Sequence, residues 1–349
     1  MPTIQEIISH LESIAPPAYQ ENYDNAGLLT GNASMEATGA LCCLDATEAV
    51  IEEAAEKGCN LVVAHHPIVF KGLKRLNGRN YVERAIIKAI KLDVAIYAIH
   101  TNLDNVYHKG VNGRIAEKLG LRNTRILLPG KALKKLSVFV ATDKVEPLRA
   151  ALFEAGAGNV NGADGASFAT LGVGTSGGAV GAQMKLEVIF PAPCESAVRS
   201  ALRRLAPAAH HEITLLDNSN LETGAGLIGE LPKAVKENVF LSGLKKTMQA
   251  GIVRHTRTLG KPIHTVALCG GSGSFLLGAA IAQGADAYVS ADFKYHEFFD
   301  ADGRILIADI GHFESEQFTI DLLHDIISEK FHTFAPLKTS VNTNPVFYL

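Results

Sequence analysis

The sequence predicts an α/β protein, with two α/β domains built on mostly parallel sheets and a smaller α+β domain inserted between them. Strand-length and helix-length segments alternate over residues 40–125 and again from about residue 240. Between these two blocks the pattern changes to a split βαβ arrangement. Alternation of this kind is typical of βαβ units, and the change marks a separate module.

In the first block, apolar runs predict strands at residues 40–44, 61–64 and 94–99. Helical periodicity predicts helices at 48–57, 82–91 and 110–119, of which the first ends at Gly58 and the last at Gly120. In the second block we expect strands at 239–241, 265–269, 287–289 and 305–310, and helices at 245–259, 274–283 and 312–330.

The middle segment predicts strands at 135–142, 184–190 and 212–216, with helices at 146–155 and 194–205. Residues 156–181 are rich in Gly, Ala and Ser and show no clear periodicity, so we expect a mobile loop there. The predicted domains are therefore residues 1–128, 129–232 and 233–349.

Composition excludes several classes of protein. The chain has 349 residues, of which 47% are hydrophobic and 20% charged, and a net charge of -3, as expected for a globular protein without a general affinity for nucleic acid. The apolar runs are too short for a membrane span, and residues 1–16 form an amphipathic pattern without signal-peptide features, so we expect a cytoplasmic protein without a membrane partner. The five cysteines lack CxxC spacing and are expected to be small buried residues.

Metal-binding residue types follow three of the predicted strands. His65 and His66 follow the strand at 61–64, Asp104 lies in the segment after 94–99, and His312 and Glu316 follow 305–310. Ligands collect at the carboxyl ends of parallel strands, so we expect these side chains to converge. His312 and Glu316 are four residues apart at the start of a helix, which places both on one face.

Three imidazoles and two carboxylates exceed the needs of one four-coordinate ion with an open position. Two ions sharing a bridging carboxylate would use the whole set, and mixed ligands of this kind suit Zn, Mn, Fe or Co. A hydroxide bridging two such ions could act as the nucleophile of a hydrolase. A second His-His pair, His210 and His211, lacks a convergent acidic partner and is expected at the surface.

Other residues near these segments leave alternatives open. His100 and His296 could serve as general acids or orient water, or could be structural. The Gly-rich turn after residue 269 could bind a phosphate or could be a tight turn, because it matches neither phosphate-binding consensus. Asp24 lies in a turn by composition and could also face the cleft.

Five ordered motifs resemble a known family. They are AHHP at 64–67, HTNLD at 100–104, CGGSGS at 269–274, DFKYHEF at 292–298 and GHFESE at 311–316. Over residues 1–125 and 235–349 the chain resembles the NIF-three-like dinuclear metal-centre proteins, often labelled GTP cyclohydrolase 1 type 2 homologs.

The resemblance implies two related α/β domains around a dinuclear metal cleft, in a homohexamer. It implies that Glu316 touches both ions and that the other ligands are His65, His66, Asp104 and His312. The middle segment is similar to the PII and CutA fold, a ferredoxin-like module.

Two functions follow from these patterns. The first is a metal-dependent hydrolase with two divalent ions, acting on a small molecule such as a nucleotide or a related phosphorylated or heterocyclic substrate. The alternative is a metal-binding regulatory or scaffold protein whose PII-like insertion senses an effector. Nucleic acid is not an expected partner of either.

Overall fold

The computed structural model describes residues 1–131, 133–176 and 179–349. These residues form two compact units: Met1–Leu128 with Gly224–Leu349, and Pro129–Thr223. None of the helices in the described part of the chain has the length and apolar character needed to cross a lipid bilayer.

The strands are numbered in chain order: β1 Gly27–Thr30, β2 Ala40–Asp45, β3 Leu61–His66, β4 Ala95–Ala98, β5 Arg122–Gly130, β6 Leu133–Val140, β7 Ser167–Ser176, β8 Ala179–Pro191, β9 His211–Leu215, β10 Asn220–Lys236, β11 Arg254–His255, β12 Pro262–Ser272, β13 Ala287–Ala291, β14 Leu306–Asp309 and β15 Leu337–Lys338.

The α-helices are α1 Ile4–Ile14, α2 Glu48–Glu56, α3 Tyr81–Lys91, α4 Thr101–Asp104, α5 Val111–Lys118, α6 Val145–Glu154, α7 Glu195–Leu205, α8 Glu237–Thr247, α9 Leu277–Ala282, α10 His312–Glu316 and α11 Thr319–Lys330. The mixed α/β class predicted from the alternating pattern is confirmed.

The first unit contains two sheets. The first has the order β1-β4-β3-β2-β15 and is parallel except for β1, which runs antiparallel to β4. The second has the order β11-β14-β13-β12-β10-β5, with a parallel centre formed by β12, β13 and β14. In both sheets the parallel strands place their carboxyl ends at one edge, where the polar residues of the motifs follow them.

Both faces of each sheet are covered. The inner faces of the two sheets enclose the largest core together with α1, α5, α8 and α11. On the outer side of the first sheet pack α2 and α3, and α9 packs on the outer side of the second. Strand β3 shows the consequence in its sequence: Leu61 and Val63 enter the inner core and Val62 and Ala64 the outer one, so the run is continuously apolar.

The second unit has its own core. Its sheet is antiparallel with the order β7-β8-β6-β9. Two helices, α6 and α7, bury Leu148, Leu152 and Val198 against sheet residues such as Leu186 and Phe190.

Three sequence-based expectations are corrected by the fold. Residues 239–241 are not a strand and 245–259 are not one helix: α8 covers 237–247, because Phe240, Leu244 and Met248 recur at helical spacing and enter the core. The predicted helix at 312–330 is two helices, α10 and α11.

The third correction concerns residues 156–181. Half of the predicted mobile loop, residues 167–176 and 179–181, lies in a hairpin of β7 and β8, which pair from Ser167↔Val188 to Ser176↔Ala179. Small residues obscured the strand pattern, since they lack the β-branched and aromatic side chains that mark strands. Residues 177 and 178 of this predicted loop lie outside the described residues. The predicted boundary at residue 232 falls inside β10.

Candidate metal centre

Strand ends place the predicted ligands at one edge of the first unit. His65 and His66 are the last two residues of β3. After β4, His100 caps the short helix α4, which ends at Asp104. In the second sheet, β14 leads into α10, whose first and last residues are His312 and Glu316.

The structure brings these side chains together in overlapping groups. Ligand atoms lie within 4.8 Å of one another in three sets: His65, His66 and His100; His66, His312 and Glu316; His65, Asp104 and Glu316. All five predicted ligands are present in these sets, and His100 joins them. His65, His66 and Glu316 each belong to two of the sets, and Glu316 is the carboxylate among these three shared residues.

Each imidazole of the cluster is held through its Nδ1 atom. The Nδ1 distances are 2.9 Å to the carbonyl oxygen of Ile99 for His65, 2.8 Å to Asp45 for His66, 2.8 Å to Asp24 for His100 and 2.7 Å to Asp292 for His312. A hydrogen bond at Nδ1 orients the ring and leaves Nε2 directed at the cluster, as is usual for metal-ligating histidines.

Two of these holding residues, Asp45 and Asp292, were missed by the sequence analysis. Asp45 is the last residue of β2, and Asp292 directly follows β13. The strand-end argument that selected the histidines applies equally to both. The alternatives for Asp24 are resolved in favour of the site, because its carboxylate also accepts hydrogen bonds from the backbone N–H and hydroxyl of Thr101.

Charges are arranged so that positive and negative groups alternate. Burial acts to lower the pKa of His66, but its hydrogen bonds to Asp45 and Glu316 outweigh burial and raise this pKa to about 10. Burial likewise opposes the charged form of His312, yet Glu316 and Asp292 raise its pKa to about 11. These imidazoles are therefore protonated at neutral pH when only carboxylates face them.

The interior of the cluster behaves differently. Burial lowers the pKa of His65 to about 3, so this imidazole is neutral. Its Nδ1 donates to a carbonyl oxygen, which can only accept, so Nε2 carries the free lone pair. Burial and the neighbouring Glu316 raise the pKa of the Asp104 carboxyl well above its usual range.

The Gly-rich turn after β12 lets the side chain of Glu316 lie close to the backbone. The N–H groups of Gly270 and Gly271 in this turn are not free to bind a ligand. A Cβ on Gly271 would lie 2.4 Å from Oε1 of Glu316, and its φ of 61° also favours glycine. The N–H groups of Gly270 and Gly271 already donate to Asn112 and Ser315, at 2.9 Å each. Of the two alternatives left open by the sequence, these contacts favour the tight turn.

Two buried atoms test whether the cluster fits a metal. Nε2 of His65 and Oδ1 of Asp104 are buried without a hydrogen-bond partner among the described residues, and lie 3.5 Å apart. Buried polar atoms normally have a hydrogen-bond partner. These two atoms therefore need a partner that accepts lone pairs from nitrogen and oxygen. A divalent cation meets that need, and the residues fit a metal centre.

The cluster opens into a cleft of about 1150 Å³. Its walls include four of the predicted ligands and four aromatic side chains: His66, Asp104, His312 and Glu316, and Tyr23, Phe70, Tyr81 and Phe275. A cleft of this size accommodates a small molecule of nucleotide size.

The remaining histidine candidates lie elsewhere. His296 is exposed, and its ring contacts Tyr295 and Phe299 rather than the cluster. His210 and His211 are exposed in the second unit, as expected. Of the five cysteines, four are buried and Cys194 is half-buried.

Comparison with known proteins decides the family. The profile of Duf34/NIF3 (NGG1p interacting factor 3) matches residues 2–345. The chain belongs to the Duf34/NIF3 family. The resemblance inferred from the five motifs is thereby confirmed.

Individual members of the Duf34/NIF3 family match along most of their length. A Bacillus subtilis protein named GTP cyclohydrolase 1 type 2 homolog is 34% identical over 315 residues, covering 85% of this chain and 84% of that protein. The crystal structure of a Bacillus cereus protein related to NIF3 has a TM-score of 0.84 at 32% identity, covering 100% of this chain and 99% of that one. Staphylococcus aureus protein SA1388 gives a TM-score of 0.82 at 28% identity, with coverage of 100% and 99%.

Proposed function

We propose that this Duf34/NIF3 chain is a metal-dependent hydrolase with a dinuclear centre. Two divalent ions, of Zn, Fe, Mn or Co, would be held by His65, His66, Asp104, His312 and Glu316. The substrate would be a nucleotide or a related phosphorylated or heterocyclic molecule. The observation that carries this proposal is that the two carboxylate oxygens of Glu316 face different candidate ligands, Oε2 toward His66 and His312 and Oε1 toward His65.

The shared carboxylate supports two ion positions rather than one. His66 and His312 approach one oxygen of Glu316, Oε2, at 2.9 and 3.2 Å. His65 lies 3.9 Å from the other oxygen, Oε1, on the side of Asp104. A carboxylate with separate partners on each oxygen is the ligand expected between two ions.

Bound ions at this place would supply Lewis-acid polarisation of the substrate and a lowered pKa for water. Among the chain's own residues, His100 is placed to move a proton. Asp24 holds its Nδ1 at 2.8 Å, and its ring lies at the cleft wall beside His65 and His66. We therefore assign the proton-transfer role to His100, whereas the exposed position of His296 gives that residue no comparable support.

Metal analysis and turnover test this function together. We expect the wild type to retain metal, H66A to lose at least half of it, and H210A, an exposed histidine outside the cluster, to retain the wild-type content. GTP, other nucleotides and phosphodiesters are then screened as substrates. Metal-loaded protein without turnover of any class would count against the hydrolase.

A regulatory or scaffold function is the second candidate. It is favoured by the order of elements in the second unit, which is strand, helix, two strands, helix and strand around an independent core. This order supports a ferredoxin-like, PII/CutA-like insertion. A nucleotide that stabilises the second unit in calorimetry, without turnover and without affecting the first unit, would favour this candidate.

We also propose a homo-oligomer, a hexamer by the family resemblance of the motifs. Light scattering after size-exclusion chromatography measures the mass directly. A monomeric mass of the full chain at micromolar concentration would contradict the assembly.

A further inference from the structure

A basic segment follows the histidine pair of β3. Residues 71–79, called here the basic segment, contain Lys71, Lys74, Arg75 and Arg79 and no acidic residue, in a chain of net charge -3. All four side chains are exposed, and within the described residues none of them forms an ion pair. Four unpaired cations in nine residues are a favourable place for a multivalent anion.

Both ends of this region are fixed to the rest of the unit. Before it, Asn25 donates from Nδ2 to the carbonyl oxygen of Val69 at 2.6 Å. At its end, Glu83 accepts hydrogen bonds from the N–H groups of Asn77 and Arg79, at 3.1 and 3.0 Å. Both ends of the segment are therefore anchored, and its first part enters the cleft wall through Lys71 and Leu73, with Lys74 and Arg75 following directly in sequence.

Aromatic side chains line the same cleft. Phe70 directly precedes the segment, and its ring lies edge-on to His100 with 5.6 Å between ring centroids. Tyr23, Tyr81 and Phe275 line the cleft as well and are more exposed than Phe70. An exposed aromatic face beside the cluster can stack on a planar ring.

We propose that the basic segment binds the phosphate groups of the substrate, while a planar ring of the same molecule stacks on Phe70 beside His100. The proposal rests on the proposed function and assigns an orientation, with the ring toward the metal cluster and the phosphates toward the basic segment. The substrate class is thus a phosphorylated planar heterocycle.

Binding to the full-length protein tests this orientation, with GTP, guanosine and inorganic tripolyphosphate as probes. Measurements in excess EDTA separate the basic segment from the metal centre. We expect K71Q/K74Q/R75Q to weaken binding of GTP and tripolyphosphate by about tenfold or more, and binding of guanosine by less than about twofold. The matched control K245Q/K246Q/K261Q removes the same charge from exposed positions that do not line the cleft.

The aromatic half of the proposal has its own variant. F70A should weaken the binding of GTP and of guanosine by about tenfold each, and should leave the binding of tripolyphosphate unchanged. The proposal is overturned if the triple variant binds GTP as tightly as its control, or if the wild type binds none of the probes.

Turnover separates this proposal from the proposed function. If the wild type binds GTP through the basic segment but hydrolyses no nucleotide, the hydrolase fails and the binding site stands. If nucleotides are hydrolysed with an unchanged KM in the triple variant, the hydrolase stands and this site fails.

A second inference rests on independent contacts of residues 337–348, called here the C-terminal segment. Its strand β15 pairs in parallel with β2, at Leu337↔Leu41 and Lys338↔Cys42. Beyond that pairing, Thr343 donates from its hydroxyl to Oδ2 of Asp45 at 2.7 Å. The other oxygen of Asp45 bonds Nδ1 of His66 at 2.8 Å.

We infer that Thr343 is a positioning residue for the metal centre. With both carboxylate oxygens of Asp45 bonded, the plane of the carboxylate is fixed, and so is the direction of the His66 ring. The next residue, Asn344, donates to Glu314 of α10 at 3.2 Å, so the C-terminal segment contacts both sides of the cluster.

Metal affinity of the full chain, measured by competition with a chromogenic chelator, tests this inference. We expect T343V to weaken binding of Zn²⁺ by about tenfold and T343S to restore it, because Ser keeps the hydroxyl. The control T339V removes a hydroxyl of the same segment that donates to Glu53, away from the cluster. It should lower the thermal stability of the metal-free protein but leave Zn²⁺ affinity unchanged.

Equal Zn²⁺ affinities of T343V and the wild type would overturn the role of Thr343. So would a T339V variant that loses as much affinity as T343V, since that result would indicate a general loss of structure.

Discussion

His66 and His312 each lie between two carboxylates, and Glu316 is common to both. In the absence of metal, protons on these imidazoles balance the acidic groups. A metal ion would replace that positive charge and release the protons, so metal binding should strengthen as pH rises. At this scale the sequence was sufficient to predict which side chains cluster, because they are chemically distinctive residues at strand ends.

The carboxylates that hold the rings were harder to find, since a single Asp after a strand is common. Asp292 bonds Nδ1 of His312 at 2.7 Å. We expect D292N to weaken metal affinity by about tenfold with little change in folding, as is typical for the partner of a ligating histidine. The control D300N alters an exposed carboxylate nearby. Chelator competition compares the two, and equal affinities would refute the role of Asp292.

Glu53 provides a stability prediction away from the metal. Burial favours its neutral form, but hydrogen bonds from Lys57, Ser340 and Thr339 outweigh burial and lower the pKa of its carboxyl to about 2. A lowered pKa in the folded state adds stability above the unfolded value of about 4.3, and this stability disappears as pH falls toward 2.

We therefore expect E53Q to lower the free energy of unfolding by about 2 to 3 kcal/mol between pH 5 and 7. The difference from wild type should shrink below about pH 4.5. Urea unfolding over this pH range measures it, with the exposed E56Q as control. A difference that stays constant down to pH 3 would show that the charge of Glu53 is not responsible.

At the scale of elements, the turn after β12 allows the proposed ligands of α10, His312 and Glu316, to approach the sheet. The sequence identified this turn but could not distinguish its two uses, because glycines serve phosphate binding and close packing equally. Contact distances make the distinction: a Cβ on Gly270 would meet Val111 at 3.0 Å and one on Gly273 would meet Ser290 at 2.4 Å.

Helix α8 was missed for a related reason, since its short apolar run at 239–241 is equally compatible with a strand.

G271A tests the close approach. Alanine at this left-handed position costs about 1 to 2 kcal/mol, and its Cβ must displace the carboxylate of Glu316. We expect lower stability and at least about tenfold weaker metal binding. G278A is the matched control, because a Cβ at Gly278 in α9 meets no atom within 4 Å. Wild-type metal affinity in G271A would show that Glu316 does not need this space.

At the scale of the whole molecule, the proposed metal ligands and the cleft belong to one of the two units, Met1–Leu128 with Gly224–Leu349. The alternating pattern was sufficient to predict the mixed α/β class. It could not predict the strands β1, β5 and β10, whose pairing depends on partners distant in sequence.

Differential scanning calorimetry tests whether bound metal stabilises the first unit alone. Metal at 100 times its dissociation constant should stabilise the first unit by about 2.7 kcal/mol and leave the second unit unchanged. Two variants show which transition belongs to which unit. E53Q should lower the melting temperature of the first unit. L148A removes a side chain from the core of the second unit and should lower the melting temperature of that unit. Metal that raises both transitions equally would contradict the assignment of the site to the first unit.

We propose that two ions bind among His65, His66, Asp104, His312 and Glu316. A crystal structure of the metal-loaded protein, with anomalous scattering recorded at the metal absorption edges, tests it most directly. We predict two anomalous peaks per chain, one on each side of the Glu316 carboxylate. A single peak, or peaks located away from these residues, would contradict the dinuclear centre.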